Sequence, residues 1–409
     1  MKISKKLLRL FLFCLFFFSI ALPFSAMAAW SARSIDFAER RFGYFPGPQN
    51  ISSEQRGAIA TVWGGAMRAI RFTEDLQPDE QMLKLPNFFK KEIRISLRKQ
   101  QKRAPLVVII PGVFANADDP LARGATKWFT KLGYHILTIP DCWGSDFARA
   151  RPLFTDDYPL GEAKVITEIT KLAIAQIGAK NITTVSLMGE SLGALAAAVV
   201  YALDSTSEHR VFTGGATLTW PPIALHAAVE RLDEMMTSTD RLYETDCHPL
   251  IKRVGTKWRI LRGKYITNPT SDEITCAPAL VAQYAFRNQL IKLAKVINRE
   301  EGLHRDVSKS LTFATFIRDY ASRYAAAMNP SDQSGDLRYW LHQTSPQALK
   351  EIRILTSEDD FLNTRQSWDM PGILDSPQDQ LIIAHWGGHI GLTDTKAYEG
   401  LITTQFGLQ

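Results

Sequence analysis

From about residue 92 onward, short apolar runs alternate with longer stretches whose apolar positions recur at helical spacing. The short runs are EIRISL (92–97), PLVVIIPG (105–112), YHILTIPD (134–141), ITTVSLMG (182–189), RVFTGGATLTW (210–220), EIRILTS (351–357) and QLIIAHW (380–386). Several are unbroken Val/Ile/Leu runs without polar alternation, the pattern of strands covered on both faces. The longer stretches include ARGATKWFTKLG (122–133), LGEAKVITEITKLAIAQIG (160–178) and LGALAAAVVYALD (192–204), each readable as a helix. Strand and helix alternating in this way predict an α/β chain with a mostly parallel sheet flanked by helices.

The rhythm breaks between about 223 and 350, where the pattern is largely helical: PALVAQYAFRNQLIKLAKVINREEG (278–302) and SLTFATFIRDYASRYAAAM (310–328). A structureless loop of that length does not suit a compact domain. The stretch reads as a helical insertion, 223–350, between two parts of one α/β core, 92–222 and 351–409. Residues 29–91 form an N-terminal extension without an assigned role, although SEQRGAIATVWGGAMRAI (53–70) has the look of a helix.

The first 28 residues stand apart. Lys2, Lys5, Lys6 and Arg9 precede the apolar run LFLFCLFFFSIAL (10–22), and Ala26-Met27-Ala28 follows. A basic start, a short apolar run and a small-x-small site predict an export signal cut after Ala28, placing the mature protein in the periplasm or outside the cell. The apolar run is short for a membrane span. Hydrophobic residues make up 45% and charged residues 22%, enough for a large core and against disorder. The net charge of +6 falls to +2 without the four positive charges of the leader, so nothing in the charge balance calls for nucleic acid. Beyond the leader, Cys142, Cys247 and Cys276 remain. Export permits a disulfide, with Cys247 and Cys276 the nearer pair and three free thiols the alternative.

The chemistry centres on Gly189-Glu190-Ser191-Leu192-Gly193, where a strand-like run meets a helix-like one. A serine hydroxyl is a poor nucleophile until a base takes its proton, and it must stand clear of the sheet to reach substrate. A tight strand-to-helix turn does this, and flanking glycines let strand and helix pass closely. The base should be a histidine late in the chain. In HWGGHIGL (385–392), His389 lies in a loop after two glycines, whereas His385 lies in the strand run and reads as structural. The intervening glycines disfavour a helix that would align the two as metal ligands. The acid that orients the imidazole belongs just past EIRILTS, where Glu358-Asp359-Asp360 stands. Asp359 has the better spacing to the apolar pair that follows, and Asp360 is the alternative. The turn Pro111-Gly112-Val113-Phe114 closes the strand PLVVIIPG, and the backbone N–H groups of Val113 and Leu192 are the expected oxyanion donors.

With these motifs, residues 92–400 resemble the α/β-hydrolase superfamily. Within it the chain is most similar to the YheT-like branch of esterases and lipases, through PGVFAN (111–116), GESLG (189–193), DLRYWLHQTSPQALKEIRILTSEDDF (336–361) and GGHIGL (387–392). The resemblance implies an α/β-hydrolase fold, carboxylic-ester hydrolysis of acyl esters or lipids, and no cofactor. The insertion would cap the strand ends, with Trp220, Leu225, Phe313, Phe316 and Trp340 beside an acyl chain or simply packing the cap core. The expected partner is a small acyl ester or a lipid, the latter with transient membrane-surface contact. A peptidase or amidase with the same triad, or an inactive lipid-binding relative, are the rival expectations.

Overall fold

In the computed structural model, the described residues are 51–72, 79–153, 158–248, 270–320, 333–363, 380–391 and the single positions Tyr398, Ile402 and Phe406. The expected leader, the start of the extension and the C-terminal part of the helix expected over 310–328 lie outside them.

Among the described residues, eight strands form one sheet: β1 (Glu80–Leu83), β2 (Ile93–Arg98), β3 (Ala104–Ile110), β4 (His135–Thr138), β5 (Ile182–Glu190), β6 (Ala216–Thr219), β7 (Ile352–Ser357) and β8 (Leu381–Ala384). Their order is β1-β2-β4-β3-β5-β6-β7-β8. Strands β4, β3, β5, β6, β7 and β8 run parallel, while β2 is antiparallel to both β1 and β4. The expected strands are all present, and β6 is confined to the last part of RVFTGGATLTW. Strand β1, short and polar, gave no pattern above its surroundings and was not anticipated. Every residue of β3 is buried, as its unbroken LVVII run between two helical layers requires.

The helices used below are α1 (Ser53–Phe72), α2 (Pro120–Lys131), α3 (Ser145–Ala150), α4 (Leu160–Ile177), α5 (Leu192–Ser205), α6 (Leu225–Ser238), α7 (Ser271–Ala279), α8 (Asn288–Glu301), α9 (Phe313–Asp319) and α10 (Leu337–Gln343). Helix α5 is buried almost all round, which its alanine run permits by letting neighbours approach closely. Between β6 and β7 the described residues are mostly helical, with a non-helical stretch over 303–312. A π-helical segment, Leu280–Arg287, joins α7 to α8, and another, Tyr243–Cys247, follows α6. Cys247 and Cys276 form a disulfide that ties the latter segment to α7, and Cys142 is free and buried.

Helix α1 does not stand off as an appendage. It packs on the insertion through α7 and on the core through α2. Ala58, Ile59 and Ala60 belong to the main hydrophobic core together with the strands of the sheet.

Candidate active site

Because β3, β5, β7 and β8 are parallel, their carboxyl ends share one edge of the sheet, where loops converge and ligands bind in open α/β folds. Ser191 follows β5 directly with φ 54° and ψ −123°. This left-handed backbone is strained for a residue with a Cβ, by about 1–3 kcal/mol, and it is held because the chain has no room to relax. A Cβ at Gly193 would lie 2.2 Å from the Pro111 carbonyl oxygen, and one at Gly189 would lie 2.3 Å from the Gly193 oxygen. The two glycines therefore let the start of α5 press against the ends of β3 and β5. The Ser191 N–H donates to Thr219 O at 2.8 Å, fixing the turn to the next strand.

The hydroxyl of Ser191 meets His389 Nε2 at 2.7 Å. On the other side of the ring, Nδ1 lies 3.2 Å from Asp360 Oδ1 and 3.3 Å from Oδ2. An Nδ1–H aimed at the carboxylate leaves Nε2 as the acceptor that a serine proton needs. All three groups are buried: Ser191 is 6% exposed, His389 2% and Asp360 2%.

The favoured acid expectation needs correction, since Asp359 is not the partner of the imidazole. Successive residues of the tight turn after β7 send their side chains in opposite directions. Asp360 faces the ring, while Asp359 turns back to accept the Gly388 N–H at 2.8 Å and to face Arg56 Nε at 3.6 Å. Burial raises the Asp359 carboxyl to about 6, against the lowering effects of the Gly388 N–H and the Arg56 charge. Asp360 is itself held by the Leu362 N–H at 3.0 Å and by Asn363 Nδ2 at 3.2 Å. Asn363 also bonds Pro221 O and the Ile223 N–H, so it pins the acid turn to the start of the insertion. Spacing gave no indication of Asn363, because its partners Pro221 and Ile223 lie about 140 residues away. His385, just past β8 rather than within it, is exposed and pairs with Glu358 at 3.1 Å.

The turn after β3 packs beside the serine. Gly112 packs on Ser191, where a Cβ would come within 3.1 Å of the serine Cβ. Leu192 is the first residue of α5, and no side chain caps that helix start. Such a start presents free N–H groups. The 111–114 turn rests on a buried carboxyl pair that the sequence did not reveal. Asp141 accepts the N–H groups of Trp143, at 2.8 Å, and Phe114. Glu162 accepts the Cys142 N–H at 3.0 Å. Burial raises both carboxyls, and the charge of Glu162 raises Asp141 further. Among the described residues, Asp141, Cys142 and Glu162 are the group with metal-like spacing, their donor atoms lying within 4.8 Å of one another. One oxygen of each carboxyl is already bonded to backbone.

An aromatic cluster connects the histidine to the insertion. Phe361 lies 5.6 Å from the His389 ring and 6.3 Å from Phe286. Phe114 stacks on Phe313 at 5.8 Å, and Trp143 lies 5.3 Å from Phe316. Of the apolar residues expected beside an acyl chain, Phe313 and Phe316 belong to this cluster. Trp220 instead stacks on Tyr398, Trp340 donates to Ser334 O, and Leu225 is buried in α6.

The strand order, with the serine after β5, the acid after β7 and the histidine after β8, defines an α/β-hydrolase fold. Among solved structures the chain is similar to carboxyl esterase 2 of the fungus Tuber melanosporum, at 14% identity over 85% of this chain and 97% of that one, with TM-score 0.45. It is also similar to an esterase from Rhizomucor miehei (11% identity, 92% and 94% of the two chains, TM-score 0.44). A Pyrobaculum calidifontis esterase gives 11% identity over 89% and 95%, with TM-score 0.43. No known protein family and no curated protein matches the chain by sequence.

Proposed function

We propose that this protein is a serine hydrolase of carboxylic esters. The carrying observation is the unbroken chain from Ser191 Oγ to His389 Nε2 and from Nδ1 to Asp360. As the ester carbonyl approaches, Ser191 Oγ bonds to its carbon while its proton passes to Nε2. The carbonyl oxygen takes the negative charge and accepts from the N–H groups of Val113 and Leu192. Collapse breaks the ester C–O bond, and the imidazolium returns its proton to the departing alkoxide. Water, deprotonated by His389, then attacks the acyl-serine and releases the acid. These groups suffice for the reaction, so the reading calls for no cofactor.

The substrate is an acyl ester or lipid whose acyl part lies against the aromatic residues of the 223–350 cap. The motif residues support placement in the YheT-like branch. The basic, apolar start of the sequence supports export, and the Cys247–Cys276 bridge suits the oxidising compartment that export reaches. The test is a fluorophosphonate probe together with a panel of p-nitrophenyl esters from acetate to palmitate. Wild type should be labelled and should turn over at least one ester, while Ser191→Ala should lose kcat by on the order of 10³-fold or more. Equal turnover by the two proteins would overturn the reading.

A further inference from the structure

The base of the triad is held from a direction that the triad logic does not require. The backbone N–H of His389 donates to Thr61 Oγ1 at 2.9 Å, and the Thr61 hydroxyl donates in turn to Gly57 O at 2.8 Å. Both bonds are buried, and 328 residues of chain separate Thr61 from His389. Thr61 lies on α1, within the extension that precedes the hydrolase core.

The surroundings make this more than an isolated contact. A Cβ at Gly57 would sit 1.9 Å from the Asp359 carbonyl oxygen, so α1 touches the backbone of the acid turn. A Cβ at Gly388 would sit 2.0 Å from Gly57 O, and one at Gly391 would sit 2.5 Å from Ala60 O. One turn of helix, residues 56–61, is thus pressed backbone to backbone against both loops that deliver His389 and Asp360. Arg56 faces Asp359, whose other oxygen holds the Gly388 N–H immediately before the histidine. A polar bond at the centre of so close a contact fixes both position and direction, and displacement of a catalytic group by as little as 1 Å is worth ~100-fold in rate.

We infer that Thr61 is a positioning residue for His389, so that the N-terminal helix α1 completes the catalytic machinery from outside the α/β core. This rests on the serine-hydrolase reading and deepens it. A threonine hydroxyl is suited to the place because it accepts from the histidine N–H while donating to a helix carbonyl. Valine has the same shape and does neither, so it leaves a buried N–H without a partner. Serine restores both bonds.

The experiment compares wild type, Thr61→Val and Thr61→Ser in the full chain. Three readouts are taken: the rate of Ser191 phosphonylation by a fluorophosphonate, steady-state kinetics on a p-nitrophenyl ester, and thermal unfolding. Thr61→Val should label ~10–100-fold more slowly and lose kcat by a similar factor with KM within about twofold. Thr61→Ser should stay within about threefold of wild type in both. Labelling of Thr61→Val at the wild-type rate overturns the inference and leaves the hydrolase reading intact. Equal losses in Thr61→Val and Thr61→Ser, tracking a fall in melting temperature, also overturn it, since they show a packing role alone. A wild-type protein that resists the probe overturns the hydrolase reading and this inference with it.

Discussion

Two adjacent aspartates do different work because each turns to a different neighbour. Asp360 faces the imidazole and is fixed by Leu362 and Asn363, whereas Asp359 secures the Gly388 N–H and faces Arg56. Asp360→Asn should therefore lower kcat by on the order of 10⁴-fold by presenting the wrong group to Nδ1, while Asp359→Asn stays within about tenfold. Steady-state kinetics on one ester separate the two, and the reverse ranking would return the acid role to Asp359. Asp359 also carries a pH signature. Its carboxyl rises from an ordinary 3.8 to about 6 in the fold, so between those values the folded state binds the proton that the unfolded state has released. Stability contributed by this group is therefore present at low pH and falls as pH rises from about 4 to 6, levelling off above. Asp359→Asn should remove that component of the slope, read as the difference in urea midpoints between the two proteins at pH 4 and pH 7. A constant difference across that range would refute it.

At the scale of elements, the site is a meeting of loops from β3, β5, β7 and β8 with one helix from the extension. The strained serine turn exists because Gly189 and Gly193 let α5 press on the sheet, and the 111–114 turn is braced by buried Asp141, which accepts the Phe114 N–H. The insertion is tied internally by the Cys247–Cys276 bridge, which closes a loop with a sequence separation of 29. On chain-entropy grounds a bridge of that span contributes roughly 3–4 kcal/mol. Reductant, or Cys247→Ser with Cys276→Ser, should lower the melting temperature by several degrees while Cys142 stays buried and unreactive until unfolding. A free-thiol titration of unfolded residues 29–409 without reductant should find one thiol, and three would dismiss the bridge.

Taken as a whole, the molecule buries its own reactive groups. Ser191 and His389 are nearly inaccessible, and Phe361, Phe286, Phe313 and Phe114 run from the histidine into the insertion. On the proposed reading, the acyl group is expected to meet rings from the strand-end loops and from the segment between β6 and β7. Phe313→Ala should open space beside Phe114 and raise the ratio of kcat/KM on long-chain to short-chain esters by about tenfold. An unchanged ratio across the ester panel would place the acyl group elsewhere.

How much of this was legible in the chain follows from the range over which each feature is encoded. Unbroken apolar runs, small-residue helices and G-x-S-x-G at a strand end are local patterns, so the parallel sheet, the serine turn, the helical character of the insertion and the histidine loop could be read directly. Which of two neighbouring aspartates meets the ring could not, because adjacent residues in a turn diverge and only the opposing loop selects between them. Thr61, Asn363 and the Asp141–Glu162 pair left no local mark, since their partners are brought close by folding alone. The sequence by itself determined the elements apart from β1, and the kinds of reactive side chain they carry. The tertiary structure decided which carboxylate addresses the imidazole and which hydroxyl holds the His389 N–H, because hydrogen bonds act over about 3 Å and no one-dimensional spacing encodes that distance.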